Sequence, residues 1–228
     1  MTESINGNLT VAAVVDTARM QWTASPTGTV WRKRVHLVGP AESGQVTTVV
    51  RFEAGAQFPE HGHPEGEEIL VLDGVFSDHT GDYGAGAFLL NPEGFRHAPF
   101  SRPGCVLFVK LRQAPGLDRH KVALDTATLE WEPGETPGVA FKSLYAQDGY
   151  ADVMRLERWA PQADLGPVDY PQGAELLVID GQFADEHGSY SAGCWLRFPP
   201  GARHRPRSAG GCTLYAKRGG LVYLRSAA

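Results

Sequence analysis

Short runs of apolar and β-branched residues, separated by turns rich in glycine and proline, recur along the chain. Four of them, at residues 46–52, 68–72, 87–90 and 106–111, have the length and composition of β-strands. Only residues 11–19 have a pattern that favours a helix. The pattern therefore predicts an all-β chain whose short strands form small antiparallel barrels or jelly rolls.

The pattern is repeated within the chain. Residues 70–78 match residues 177–185 at a constant offset of 107 residues, and both segments contain an Asp-Gly pair that predicts a turn. The same offset joins residues that rarely match by chance: Tyr83 with Tyr190, His97 with His204, and Cys105 with Cys212. The chain is therefore predicted to be two tandem copies of one fold, at residues 1–113 and 114–228.

Composition narrows the class of protein. The 27 glycines and 16 prolines fit many tight turns, and a net charge of −5 provides no electrostatic footprint for nucleic acid or an anionic membrane. No apolar stretch is long enough to span a bilayer, no secretory signal is visible, and the three cysteines form no C-x-x-C pair. We therefore expect a cytoplasmic protein with no nucleic-acid or membrane partner.

Four side chains of the first repeat form a candidate metal site. His61 and His63 are two residues apart, so a strand would present both imidazoles on one face. Glu67 follows a Pro-Glu-Gly sequence that can return a carboxylate to that face, and His97 follows a Pro-x-Gly turn in a later segment. Three histidines and one carboxylate suit a divalent transition metal such as Zn, Fe, Mn, Ni or Cu.

These segments resemble the paired motifs of the cupin superfamily. Residues 55–74 fit G-x5-H-x-H-x3-E-x6-G, and residues 86–97 fit G-x5-P-x-G-x2-H. The amino-acid sequences of both segments look most like those of the cupin domain of ChrR-type anti-sigma factors. The resemblance implies two tandem RmlC-like jelly-roll barrels, a bicupin, with metal ligands at His61, His63, Glu67 and His97.

The second repeat lacks most of this site. At the positions of His61, His63 and Glu67 it has Val168, Tyr170 and Ala174, and it keeps only His204. Glu68 is matched by Glu175 and survives, which favours Glu67 over Glu68 as the ligand. We therefore expect one metal per chain, in the first repeat, and a degenerate second repeat.

Function stays open between two classes at this point. A site of three histidines and one glutamate can support dioxygenase-like oxidation of a small organic molecule. The ChrR resemblance implies instead a regulatory sensor that responds to reactive oxygen without catalysis; a storage role with a vestigial site is disfavoured because the ligand set is intact.

The same resemblance bears on partners. ChrR-type anti-sigma factors hold their sigma factor through a zinc domain with a His-x3-Cys-x2-Cys signature, which this sequence lacks. A sigma factor is therefore not expected as a partner, a small-molecule ligand or substrate is, and a homodimer stays open.

Overall fold

The computed structural model describes residues 3–26 and 28–227, and their regular secondary structure is almost entirely β-strand. This confirms the all-β prediction. The strands of the first half are β1 Glu3–Ile5, β2 Ala13–Asp16, β3 Thr23–Ala24, β4 Val30–Gly39, β5 Gln45–Phe52, β6 Ala56–Gln57, β7 His61–Gly62, β8 Glu67–Asp78, β9 Gly81–Gly84, β10 Ala87–Asn91, β11 Arg96–His97, β12 Phe100–Ser101 and β13 Cys105–Leu111.

The second half repeats the order of β2 to β13 and has no counterpart of β1 among its described strands. Its strands are β14 Val122–Asp125, β15 Glu132–Pro133, β16 Val139–Tyr145, β17 Val153–Trp159, β18 Ala163–Asp164, β19 Val168–Tyr170, β20 Ala174–Ala184, β21 Ser189–Ser191, β22 Cys194–Phe198, β23 Ala202–His204, β24 Arg207–Ser208 and β25 Cys212–Arg218. Single 3-10 turns cover Thr17–Arg19, Thr126–Thr128 and Gly220–Tyr223. No helix in the described part of the chain is long and apolar enough to cross a membrane.

The chain divides into two compact units. The first contains Met20–Thr128 with the residues up to Gly7 and from Arg225 onward, and the second contains Asn8–Arg19 and Leu129–Leu224. The predicted division between residues 113 and 114 separates the sequence repeats. The units are composed differently, because β2 and its counterpart β14 each belong to the sheet of the other repeat.

This exchange is visible in the strand pairing. β2, from the first repeat, pairs with β22 in the second unit, and β14, from the second repeat, pairs with β10 in the first unit. Thr17 and Thr126 follow these strands and donate side-chain hydrogen bonds to the carbonyl oxygens of Gly193 and Gly86. Both crossed segments are therefore fixed by their strand pairing and by the same side-chain contact.

Each unit is built on one large antiparallel sheet. Its strand order is β1-β4-β5-β13-β8-β10-β14 in the first unit and β15-β16-β17-β25-β20-β22-β2 in the second. A separate two-stranded pair, β7 with β11 or β19 with β23, accompanies each sheet. Alternate strand residues face an apolar interior, formed in the first unit by side chains such as Val30, Phe52, Ile69, Phe76, Leu89 and Leu107.

Three local expectations were wrong. Residues 11–19 form a strand and a 3-10 turn rather than a helix, since pairing with β22 determines their conformation. The Asp73-Gly74 pair does not end a strand: β8 continues through it beside a register shift against β13, with Gly74 at φ 73°. The equivalent Gly181, at φ 71°, lies within β20 in the same way.

Candidate metal centre

Two short strands and a tight turn bring the predicted ligands together. β7 pairs with β11 so that His61 lies directly opposite His97, and the backbone N–H of His63 donates to the Phe95 carbonyl oxygen at 2.9 Å. Gly66, at φ 73°, then turns the chain so that Glu67 begins β8. The three histidines and Glu67 therefore reach one place from three different segments.

The four side chains point at a common centre. The Nε2 atoms of His63 and His97 are 2.9 Å apart, and Glu67 Oε2 is 3.5 Å from each of them. Candidate ligand atoms of the three histidines all lie within 4.8 Å of one another. His63, Glu67 and His97 are buried, whereas His61 is the more exposed member.

Partners behind the ligands fix their orientation. His97 Nδ1 donates to the Asp78 carboxylate at 2.9 Å, and His61 Nδ1 donates to the Pro59 carbonyl oxygen at 2.8 Å. A neutral imidazole that donates from Nδ1 carries its lone pair on Nε2, which here faces the centre. Asn91 Nδ2 donates to Glu67 Oε2 at 2.9 Å and holds this carboxylate in place.

The electrostatics of the site favour the neutral form of His63 and the ionised form of Asp78, as the directions of their pKa shifts show. Burial lowers the pKa of His63, and the nearby charge of Glu67 opposes this only in part. Burial alone would raise the pKa of Asp78, but hydrogen bonds from His97 and Thr80 outweigh it and hold that pKa well below its ordinary value. Neutral imidazoles are the form that binds a metal, so the donor set fits a divalent cation.

A cavity of about 490 Å³ reaches this centre within the first unit. Its wall includes His61, His63 and Glu67, together with Arg32 and Arg34 from β4. Apolar side chains of the sheet complete it: Val30, Val46, Val50, Phe52, Ile69 and Leu107. The size and the mainly apolar wall are typical of a pocket for a small organic molecule.

Sequence reasoning missed two residues that shape the centre. Asp78 lies in the repeated segment and matches Asp185, so the repeat contained a signal for it. The signal for Asn91 was a difference between the repeats. The second repeat has Phe198 at this position, as it has other residues at the positions of His61, His63 and Glu67. Glu68, the alternative ligand, is buried and lies opposite Lys110 in the strand register.

The corresponding centre of the second unit is closed by a hydroxyl and aromatic rings. Val168 lies opposite His204, as His61 lies opposite His97. His204 Nδ1 donates to Asp185 at 2.8 Å, while the Tyr170 hydroxyl is 3.2 Å from His204 Nε2. Phe198 stacks on Tyr170 with ring centroids 5.0 Å apart. The tyrosine hydroxyl therefore takes the place that His63 Nε2 has in the first unit.

A buried glutamate of the second unit is neutralised by two partly exposed arginines. Glu157, buried on β17, accepts from Arg155 at 2.7 Å and Arg218 at 3.0 Å, and its second oxygen accepts from Trp159 Nε1 at 3.1 Å. By the 107-residue offset, the arginines and Glu157 stand where the first unit has the cavity-lining residues Thr48, Leu111 and Val50.

Comparison with known proteins supports the resemblance. The family model described as the ChrR Cupin-like domain matches residues 10–115 and again residues 119–222. No curated protein matches the sequence.

Solved structures show the same fold over almost the whole chain. A protein from Nostoc punctiforme whose name proposes a dioxygenase is 15% identical, covers 93% of this chain and 82% of its own, and has a TM-score of 0.72. Protein Ylba from E. coli is 14% identical over 96% of this chain and 94% of its own, with a TM-score of 0.70. Oxalate decarboxylase from Lactobacillus farciminis, as a formate complex, is 11% identical over 91% and 86%, with a TM-score of 0.64.

Proposed function

Since the chain belongs to the family of ChrR cupin-like domains and contains two of them, we propose that it is a metal-dependent oxidoreductase with a single site. His61, His63, Glu67 and His97 hold one divalent transition metal, and a small organic molecule is oxidised beside it in a dioxygenase-like reaction. The observation that carries this proposal is the convergence of three imidazoles and a carboxylate on one point at the wall of a cavity.

The side chains of the site have separable roles. A bound transition metal supplies a Lewis acid and, in the case of iron, a centre that reacts with dioxygen. His97, held by Asp78, and His61, held by the Pro59 carbonyl oxygen, present their Nε2 lone pairs in fixed directions. Glu67, held by Asn91, supplies the one negative charge of the ligand set and offsets part of the charge of the cation.

The cavity favours a reaction over a purely regulatory role. A sensor of reactive oxygen needs access only for an oxidant of a few atoms, whereas a space of about 490 Å³ accommodates an organic molecule. The names of two structural neighbours, a proposed dioxygenase and an oxalate decarboxylase, describe reactions of small organic molecules. Their identity to this chain is 15% or less, so they support the reaction class only by analogy of fold.

Metal analysis of matched variants tests the ligand set. We expect about one transition metal per wild-type chain, a large loss in Glu67→Gln, and no loss in Glu68→Gln or His204→Gln. Glu67→Gln removes the anionic ligand at nearly constant volume, while Glu68 lies in register with Lys110 and the Nε2 of His204 faces the Tyr170 hydroxyl rather than further histidines. The proposal of one site is wrong if wild-type protein holds two metals or if only Glu68→Gln empties the site.

Oxygen consumption tests the reaction itself. Protein reloaded with Fe(II) is mixed with small organic molecules, and oxygen uptake is followed for wild type and Glu67→Gln. We expect uptake that depends on both the organic molecule and Glu67. Metal binding without any uptake would instead support the regulatory alternative.

A further inference from the structure

The cavity of the first unit has a cationic end. Arg32 and Arg34 are two residues apart on β4 and lie on the same face as Val30, which belongs to the buried apolar cluster of that unit. Both arginines line the cavity that also reaches the histidines. Their side chains are 19% and 13% exposed, so the guanidinium groups are largely shielded from water.

One carboxylate serves both of these arginines. Glu42 accepts from Arg32 at 2.6 Å and from Arg34 at 2.9 Å, and its own side chain is 48% exposed on the turn after β4. Two guanidinium groups and one carboxylate leave one formal positive charge at this end of the cavity. A counter-ion on an exposed turn is also one that a bound anion can displace.

The remaining charges of the wall are accounted for. The other charged lining residues are Glu60, Glu67 and Arg112. Glu60 accepts from Arg96 at 3.1 Å, Arg112 lies 3.5 Å from Glu65, and Glu67 faces the histidines. Glu65 is also bound by Arg225 at 2.6 Å, so Arg112 shares its partner as well. Arg32 and Arg34 differ from Arg112 in that both line the cavity and share one carboxylate, Glu42, that lines it with them.

Strand register shows how far this pair lies from the histidines. Arg34 is in register with Thr48, which is in register with Val109, which is in register with Ile69 on β8. Ile69 is two residues beyond Glu67 and shares its face of the strand. Three strand spacings place the backbone of Arg34 about 14 Å from that of Ile69 along the sheet, and both side chains reach into the cavity between them.

The second unit has no such pair. Its residues at the register positions of Arg32 and Arg34 are Phe141, opposite Glu157, and Ser143, opposite Arg155. The two arginines are thus absent from the unit that lacks the ligand set and that has the Glu157 ion pairs at the matching strand positions. This correlation is expected of residues that serve a ligand in the cavity rather than the stability of the fold.

We propose that the molecule bound in this cavity is a small carboxylic acid with an apolar body. Its carboxylate is held by Arg34 and Arg32 in place of Glu42, its body lies along the apolar wall, and its far end lies against the histidine centre. This inference rests on the proposed function, because it assigns the substrate class of the same site. Arg suits the role because its planar fork binds a carboxylate through two parallel hydrogen bonds.

Binding of matched acids and amides tests the proposal. The probes are hexanoate, benzoate and 3-phenylpropanoate, each paired with its uncharged amide, and dissociation constants are measured by calorimetry with the protein as purified and after chelation. We expect at least one acid to bind about tenfold more tightly than its amide, since hydrogen bonds to a charged group contribute ~1.5–3 kcal/mol. This preference should persist after chelation, because the arginines rather than the metal produce it.

Three variants of the cationic end are expected to change the binding of the acid in different directions. The double variant Arg32→Gln, Arg34→Gln should lose the preference for the acid, and Arg34→Lys should keep only part of it. Glu42→Gln should bind the acid more tightly than wild type, because it removes the competing carboxylate. Metal content should be unchanged in all three.

Two results would overturn the inference. One is the absence of any preference for the acids in wild-type protein up to millimolar concentration, and the other is a full preference in the double variant. If either result is obtained while the metal content matches that of wild type, only the substrate class is wrong. The proposed function is contradicted instead if wild-type protein as purified contains no transition metal, or if Glu67→Gln retains as much metal as wild type.

Discussion

Each unit has a buried histidine that donates from Nδ1 to a buried aspartate. In the first unit His97 and Asp78 form this pair beside a cavity and two further histidines. In the second unit His204 and Asp185 form the same pair, but its Nε2 faces a tyrosine hydroxyl. The histidine–aspartate pair is therefore part of the common fold, and evidence for a metal lies in the positions that change together around it.

The two units also differ in charge at matching positions of their sheets. The first unit has Val50 and Leu111 where the second has Glu157 and Arg218. Glu157 is buried, so its charge requires partners, and Arg155, Arg218 and Trp159 supply them. Matching positions of the sheet therefore line a cavity in the first unit and carry a neutralised group of charges in the second.

The largest effect is expected from removing the buried carboxylate of the second unit. Glu157→Val leaves Arg155 and Arg218 without their common partner and Trp159 Nε1 without its acceptor. Because the two arginine side chains are 26% and 38% exposed, we expect the free energy of unfolding to fall by ~3 kcal/mol, the lower end of the cost of breaking a buried ion pair. Urea denaturation measures this change. The triple variant with Arg155→Thr, Glu157→Val and Arg218→Leu copies the first unit and should cost less than the single change; a larger cost would contradict the comparison.

Chelation should act on the first unit alone. A metal that binds only the folded state contributes about 2.7 kcal/mol when its free concentration is 100 times its dissociation constant. Removing it should lower the thermal midpoint of wild type and leave a folded β-rich protein, as circular dichroism can show. Glu67→Gln serves as the control, because its midpoint should no longer respond to chelator.

A smaller loss is expected at the closed centre. Tyr170→Phe removes the hydroxyl that faces His204 Nε2 and leaves a buried nitrogen unsatisfied, at a cost of ~1–3 kcal/mol in unfolding free energy. Tyr170→His restores an imidazole, but Val168 and Ala174 offer no further ligand. Metal analysis should therefore find no additional metal, and a second bound metal in that variant would show that the second centre needs fewer ligands than we infer.

The smallest expected effect is on the stability of the fold at low pH. Burial would raise the pKa of Asp185, but hydrogen bonds from His204, the His187 backbone N–H and Tyr190 outweigh it and lower the pKa. A carboxyl with a lowered pKa stabilises the fold above its ordinary value of about 3.9 and loses that contribution as the pH falls further. Unfolding midpoints below pH 4 should therefore fall less steeply in Asp185→Asn than in wild type, and equal slopes would exclude this carboxyl as the cause.

The sequence predicted the features that depend on residue type at fixed spacing. The spacing of His61, His63 and Glu67, with His97 after its turn, was enough to expect that the four would meet, and the structure brings them together. The 107-residue offset likewise predicted that the second centre would lack this set. The proximity of the four side chains could be predicted because strand and turn geometry translate short-range spacing directly into position, whereas their binding of one metal stays a prediction.

Features that depend on tertiary pairing could not be predicted in this way. No local pattern tells β2 which sheet to join, and its β-branched residues were mistaken for a helix. Arg155 and Arg218 have the sequence pattern of ordinary surface charges, and only the structure shows them bound to a buried carboxylate. His36 likewise has no apolar character that would predict burial, yet it is completely buried within β4.

The exchanged strands β2 and β14 find their partner strands at different times during translation. β14 follows its partner β10 closely, since Thr126 and Gly86 are 40 residues apart, whereas Thr17 and Gly193 are separated by 176 residues. At about 5–20 residues per second, β2 waits roughly 10 to 35 s after its own synthesis before its partner strand exists. For that period the nascent chain carries an unpaired strand edge, the kind of surface that associates with other chains. Truncated or stalled chains that end before residue 194 should therefore aggregate more readily than chains that extend past β22.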